Sequence, residues 1–160
     1  MDFREGDPVM HWTYGLGQIV RLEERALSGS NSLYYAVKIQ DMTVWVPADN
    51  QLDSRLRAPT PEAGFKNLLA ILSSPAEPLP EDRHERKMRL LEMLKDGHAE
   101  SLCRIIRDLY TFQKAKSLNE NDQRILKQLR HILAGEWGFA LSITQAQAEV
   151  ELQRSLEIEV

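Results

Sequence analysis

The chain is 160 residues long, room for one ordinary domain or two small ones and too little for most multidomain enzymes. Its 20 Lys and Arg against 24 Asp and Glu give a formal charge of −4, with 42% hydrophobic and 28% charged residues, the balance of a globular protein rather than of a basic nucleic-acid coat. The single cysteine, Cys103, excludes an intrachain disulfide and a multi-cysteine zinc site, no run approaches the roughly 18 apolar residues of a membrane span, and Met1-Asp2-Phe3-Arg4-Glu5 lacks a signal-peptide core, so the expected location is the cytoplasm.

All seven prolines lie at or before Pro80, and four of the eight glycines fall in the first 29 residues. A front half punctuated in this way and a proline-free back half predict β structure followed by helices. Pro8-Val9-Met10-His11-Trp12 reads as a strand, and Gly15 and Gly17 bracket a bend before Gln18-Ile19-Val20-Arg21-Leu22. The end of the Ile19 to Arg25 segment reads as a third strand, Leu33-Tyr34-Tyr35-Ala36-Val37-Lys38-Ile39 as a fourth, and Met42-Thr43-Val44-Trp45-Val46-Pro47 as a fifth. So many short strands in so few residues predict a small, strongly bent barrel of the SH3 or Tudor kind, over residues 1–56.

From Pro61 the period becomes helical, and the expected all-α domain, residues 57–160, holds about five helices. Phe65, Leu68, Leu69 and Leu72 mark the first, ended at Ser73-Ser74-Pro75. A stiff connector with Pro78 and Pro80 leads to a second from about Asp82 to Lys95, with Met88, Leu91 and Leu94 expected to face inward. A third carries Leu102, Ile105, Ile106 and Leu109. Asn119 is positioned to cap a fourth, with Leu126, Leu129, Leu133 and Trp137 along one side, and Thr144 a fifth, Gln145 to Glu157. The expected fold class is therefore α+β.

Enzyme signatures are absent. Gly15-Leu16-Gly17 is a bare G-x-G with no helix behind it, and there is no phosphate-cradling loop. His11, His84, His98 and His131 never fall three or four residues apart, so no metal pair is written on a helix. Cys103 sits among Leu102, Ile105 and Ile106, where burial suppresses the thiolate. No catalytic, metal or cofactor site is expected. Charge distribution is more informative: between Arg83 and His131 there are 12 basic and seven acidic residues, whereas the tail from Ala134 has one Arg and five Glu. Arg83, Arg86, Lys87 and Arg89, opening a helix after a rigid connector, are candidates for phosphate contact, with a mixed solvated face as the alternative.

The order and spacing of several segments resemble the CarD/CdnL family of bacterial transcription regulators, whose front domain is shared with the polymerase-interacting domain of transcription-repair coupling factors. In the front these are Phe3-Arg4-Glu5-Gly6-Asp7-Pro8-Val9, Tyr14-Gly15-Leu16-Gly17-Gln18-Ile19, Tyr34-Tyr35-Ala36-Val37-Lys38-Ile39 and Met42-Thr43-Val44-Trp45-Val46-Pro47-Ala48-Asp49-Asn50. In the back they are Lys95-Asp96-Gly97, Ile105-Ile106-Arg107-Asp108-Leu109 and Arg130-His131-Ile132-Leu133-Ala134-Gly135-Glu136. The resemblance implies a non-enzymatic factor whose Tudor-like front domain binds the RNA polymerase β subunit by a strand edge and whose helical domain contacts promoter DNA, modulating open-complex formation. An adaptor whose helical domain does not bind DNA is the alternative.

Carried onto this chain, the polymerase-binding residues would be Arg25, Val44, Trp45, Val46 and Pro47. Trp45 stands where relatives carry a basic residue, and it is either an interface anchor or part of the core. Relatives also carry a tryptophan after the Leu-Pro before the second helix, which wedges into the minor groove. Here Leu79-Pro80-Glu81-Asp82 is followed by Arg83, which can enter a narrow minor groove or bind phosphate without holding a base step apart, so that either Arg83 replaces the wedge or the wedge function is lost.

Overall fold

The computed structural model describes residues 2–27 and 29–158, and the chain divides after Pro59 into two compact units. The first is one antiparallel sheet of β1 (Pro8–His11), β2 (Gly15–Arg25), β3 (Ser32–Ile39), β4 (Met42–Pro47) and β5 (Leu56–Arg57), in the order β4-β3-β2-β1-β5. The two strands expected between Gln18 and Arg25 are a single strand. Its register against β3 runs Ile19 to Val37 and then Arg21 to Ala36, so Val20 is an inserted residue that lets one long strand bend instead of breaking. The fifth strand is Leu56–Arg57, which pairs with Met10 and His11 and is too short to show a periodicity. This strand carries the front unit past the expected boundary at residue 56.

One apolar cluster draws on all five strands. Val9, Ile19, Val37, Ile39, Val46 and Leu56 are among its members, joined by Leu52 from a 3-10 turn, Leu52–Ser54. A core shared by both edge strands means the sheet wraps around it, as burial in so short a chain requires. Gly17 permits the closest approach: a Cβ there would stand 2.6 Å from Ile39 Cγ1 and 2.8 Å from the Lys38 carbonyl oxygen.

The second unit holds α1 (Phe65–Leu72), α2 (Arg83–Leu94), α3 (Ala99–Ala115), α4 (Glu120–Leu141) and α5 (Gln145–Glu157). The caps are those read from the sequence: Asn119 accepts from the Asp122 amide at 2.9 Å, and Thr144 and Gln147 form a reciprocal capping box. Trp137 is buried, with its ring 5.7 Å from that of Phe65. Gly138 lets the chain turn from α4 into α5, because a Cβ there would meet the Ile143 carbonyl oxygen at 2.9 Å.

One expectation fails in phase. Met88 and Leu91 of α2 are 54% and 48% exposed, and the buried positions are Arg86 and Leu90. The inward stripe is thus offset by about one residue from the apolar one, and a charged side chain occupies its first position.

His11 gives the front unit a pH dependence. Its imidazole is buried between Trp12 and Tyr14, and Nδ1 accepts the Thr13 and Tyr14 backbone amides at 3.0 and 3.2 Å. Burial lowers its pKa from 6.5 to about 4. The folded state therefore binds fewer protons than the unfolded chain between those values, and stability present above pH 6.5 is lost as the pH falls toward 4. Urea unfolding across that range should show a loss of roughly 3 kcal/mol attributable to this group, and His11→Asn, which offers an oxygen acceptor that does not titrate, should remove most of the slope.

Candidate functional site

The expected polymerase-contacting residues gather around the β4 edge. β4 pairs only with β3 in the sheet order, and Gln40 and Asp41 form the two-residue turn between them, with Gln40 at φ +54°. Residues that close such a turn form a hydrogen-bonded pair, so Met42, Val44 and Val46 direct their backbone groups to β3. The Ala48 amide, in the same phase, donates to the Leu33 carbonyl at 3.0 Å. Thr43 and Trp45 therefore turn their N–H and C=O groups outward. Pro47, in that outward phase, has no N–H to offer.

The side chains of this strand divide by face. Val46 lies in the core and Val44 packs against it, so those two expected contact residues turn both side chain and backbone away from the open edge. Trp45 faces the opposite way and is half-buried. Its indole N–H donates to the Glu23 carboxylate on β2, while the Arg25 guanidinium lies 4.4 Å above the ring. Because Trp45 and Arg21 both pair with Ala36 of β3, an indole reaching from β4 to β2 must cross that residue, which has no exposure. Trp45 is thus not a core residue but a plate over the second face of the sheet.

Glu23 is the hub of this face. The Trp45 hydrogen bond, then Arg21 at 3.1 Å and the Arg25 charge, hold its carboxyl below the usual glutamate range. Arg25 keeps more than a third of its side chain exposed and lies 3.6 Å from Glu23.

On the helical unit the four candidate cations separate. Asp82 caps α2 by accepting the Glu85 amide at 2.9 Å, which starts the helix at Arg83. Arg83 and Lys87, one turn apart and exposed, line a shallow groove with His84 and with Asn119, Glu120 and Asn121 at the start of α4. Arg89 is also exposed and lies 3.4 Å from Glu77, a solvated pair worth little.

Arg86 is not at the surface. Its Nε and Nη2 both lie 2.7 Å from Asp122 Oδ2, its Nη1 donates to the Pro80 and Glu81 carbonyls at 3.1 Å, and its guanidinium sits 4.7 Å over the Phe112 ring. A side chain held in this way cannot reach a phosphate, and the contact expected of it is withdrawn. Charge alone made Arg86 look like its neighbours. The available hint was its spacing, one turn before Leu90. Sequence reasoning also gave no role to His84, and took Arg124, Lys127 and Arg130 on α4 only as part of the basic stretch between Arg83 and His131. Among the described residues no three His, Cys, Asp or Glu side chains are grouped to hold a metal ion, and no helix is long and apolar enough to cross a membrane.

Residues 3–58 match the family model described as the CarD-like/TRCF RID domain, and residues 67–153 match that of the CarD C-terminal domain. A protein of Bacillus subtilis (strain 168) bearing the name "Putative transcription factor YdeB" is 25% identical over 147 residues, which span 91% of this chain and 96% of that protein. The open β4 edge falls within the first match, and Arg83, Lys87 and the buried Arg86 fall within the second.

The placement of Arg86 makes a stability prediction. Arg86→Ala strands the Asp122 carboxylate in the interior and should lower the stability of the chain by about 3–5 kcal/mol. The Arg86→Met/Asp122→Leu double variant should lose much less, since it leaves no unpaired charge. Arg83→Ala should stay within about 0.5 kcal/mol of wild type in the same urea titration followed by helical circular dichroism.

Proposed function

The chain belongs to the CarD family of transcription regulators, with an RNA polymerase-interacting front domain, and we propose that it binds the polymerase β subunit through the β4 edge and promoter DNA through Arg83 and Lys87. The observation that carries this reading is the outward-facing backbone of Thr43 and Trp45 on a strand with one side unpaired. A partner strand added there gains main-chain hydrogen bonds, and the Arg25, Trp45 and Glu23 cluster beside it supplies selectivity. Open-complex formation would be modulated by positioning, with no chemical step and no cofactor.

The DNA half of the reading rests on two cations, since Arg86 is buried and Arg89 lies beside a carboxylate. Phosphate contact fits exposed cations one helical turn apart at the start of a helix. Arg83 in place of an apolar wedge fits a role in holding the duplex rather than unstacking it. The adaptor alternative, in which the helical unit touches protein instead, is favoured by the small number of uncommitted cations on α2 and by the net charge of −4.

Two measurements test these halves separately. Thr43→Pro removes an outward amide from an edge strand, where proline is tolerated, and should weaken binding to an isolated β-subunit fragment about tenfold or more while the fold persists. Thr43→Val should bind as wild type does. Arg25→Glu should also weaken binding, by placing a carboxylate beside Glu23 at the same edge. If Thr43→Pro binds normally, the edge is not the contact.

For DNA, Arg83→Ala and Lys87→Ala should each reduce the salt slope of promoter binding by about one unit, equally across sequences. Arg83→Trp should lengthen the open-complex lifetime more than it raises duplex affinity. Unchanged salt slopes and an unchanged lifetime would favour the adaptor.

A further inference from the structure

Cations of the helical unit are treated in two ways. Many are matched to carboxylates: Arg86 to Asp122, Arg107 to Asp108, Lys116 to Glu81 and Arg154 to Glu151. Along α4 the partners are neutral. Arg124 Nη2 donates to Asn121 Oδ1 at 2.8 Å, Arg130 Nη2 donates to Gln153 Oε1 at 2.7 Å, and His131 Nδ1 lies 2.9 Å from Gln145 Nε2. An amide oxygen orients a guanidinium without cancelling its charge. Lys127 stands between them, three residues after Arg124 and four before His131, on neighbouring turns of the helix.

These four side chains line a single groove of about 720 Å³. Leu118 and Leu126, 6% and 7% exposed, form its apolar floor, and Gln113 of α3 adds an amide at the wall. Glu149 of α5 is the one carboxylate among the groove residues, against three permanent cations. The groove is separate from the one formed by Arg83, His84 and Lys87.

We infer that this α4 groove binds a nucleoside di- or triphosphate, with the phosphates on Arg124, Lys127 and Arg130 and the base over Leu118 and Leu126. Three observations favour that class. The volume lies within the range of roughly 300–1,000 Å³ typical of small-molecule sites. Unneutralised guanidiniums held in fixed directions match phosphate oxygens, which accept paired N–H groups. The narrow strip of Leu118 and Leu126 that reaches the groove, beside the Gln113 amide, gives a heterocycle with polar edges an apolar place to rest. The site does not rest on the DNA reading of Arg83 and Lys87.

The test titrates the full-length chain with ATP and with GTP by calorimetry and by amide chemical-shift mapping, with inorganic triphosphate and a short DNA duplex as parallel arms. The expected result is saturable, one-site binding of at least one nucleotide, tighter than that of inorganic triphosphate, with shifts centred on α4. Arg124→Glu and Lys127→Glu should each weaken it about tenfold or more, without changing the thermal melt, because both side chains are exposed. Arg83→Glu should leave nucleotide binding unchanged while lowering duplex affinity. The assignment is overturned if neither nucleotide saturates at several millimolar or if inorganic triphosphate binds as tightly as both. Loss of nucleotide binding in Arg83→Glu but not in Lys127→Glu also overturns it.

Discussion

Arg86 and Asp122 are both charged and almost without solvent contact, so the groups around them must be arranged to satisfy the pair. Removing two such charges from water costs several kcal/mol per ion, which is offset only with close geometry and additional hydrogen bonds. The arginine side meets both conditions, with two guanidinium nitrogens on one carboxylate oxygen and a third donating to two connector carbonyls, whereas Asp122 Oδ1 is buried without a hydrogen-bond partner among the described residues. Asp122 is also the residue whose amide is capped by Asn119, so the pair ties the start of α4 to α2 and to the chain entering it. Once Arg86 points inward, helical geometry turns Met88 and Leu91 to the surface.

A second buried pair acts on the other end of the same connector. Arg107 Nε donates to Asp108 Oδ1 at 2.9 Å and Arg107 Nη1 to Ser74 Oγ at 2.8 Å, while the Glu77 amide donates to Asp108. The proline-bearing segment cannot form a helical hydrogen-bond ladder of its own, and its polar backbone is met from α3 and α2 instead. Its proline stiffness and these two anchors act together to fix where α2 begins.

What was legible in the sequence follows from which forces leave a periodic trace. Helix extents and caps were readable because Asn119 and Thr144 act within a few residues of where they stand. The Ile19 to Arg25 segment was not, since a one-residue bulge has no composition signature, and β5 pairs through two residues whose partners lie far away in the chain. The inward face of α2 was misjudged because periodicity counts apolar residues, whereas this helix buries an arginine whose partner is 36 positions away. Around β4, the edge could be anticipated from resemblance. The crossing of Trp45 to Glu23 could not, since it depends on the register of three strands at once.

The two surfaces proposed for partners differ in the physics they would bring. An edge strand associates through backbone groups whose hydrogen bonds are short-ranged and little affected by dissolved ions, whereas cations that neutralise phosphates release counterions and weaken steeply as salt rises. The Trp45 plate sits between these limits: its indole is anchored by a charged hydrogen bond and a cation over the ring, both from β2 of the same sheet. Binding through the front unit should therefore keep its strength over ionic conditions in which binding through α2 fades. That difference follows from Thr43 and Trp45 offering peptide groups where Arg83 and Lys87 offer only charge.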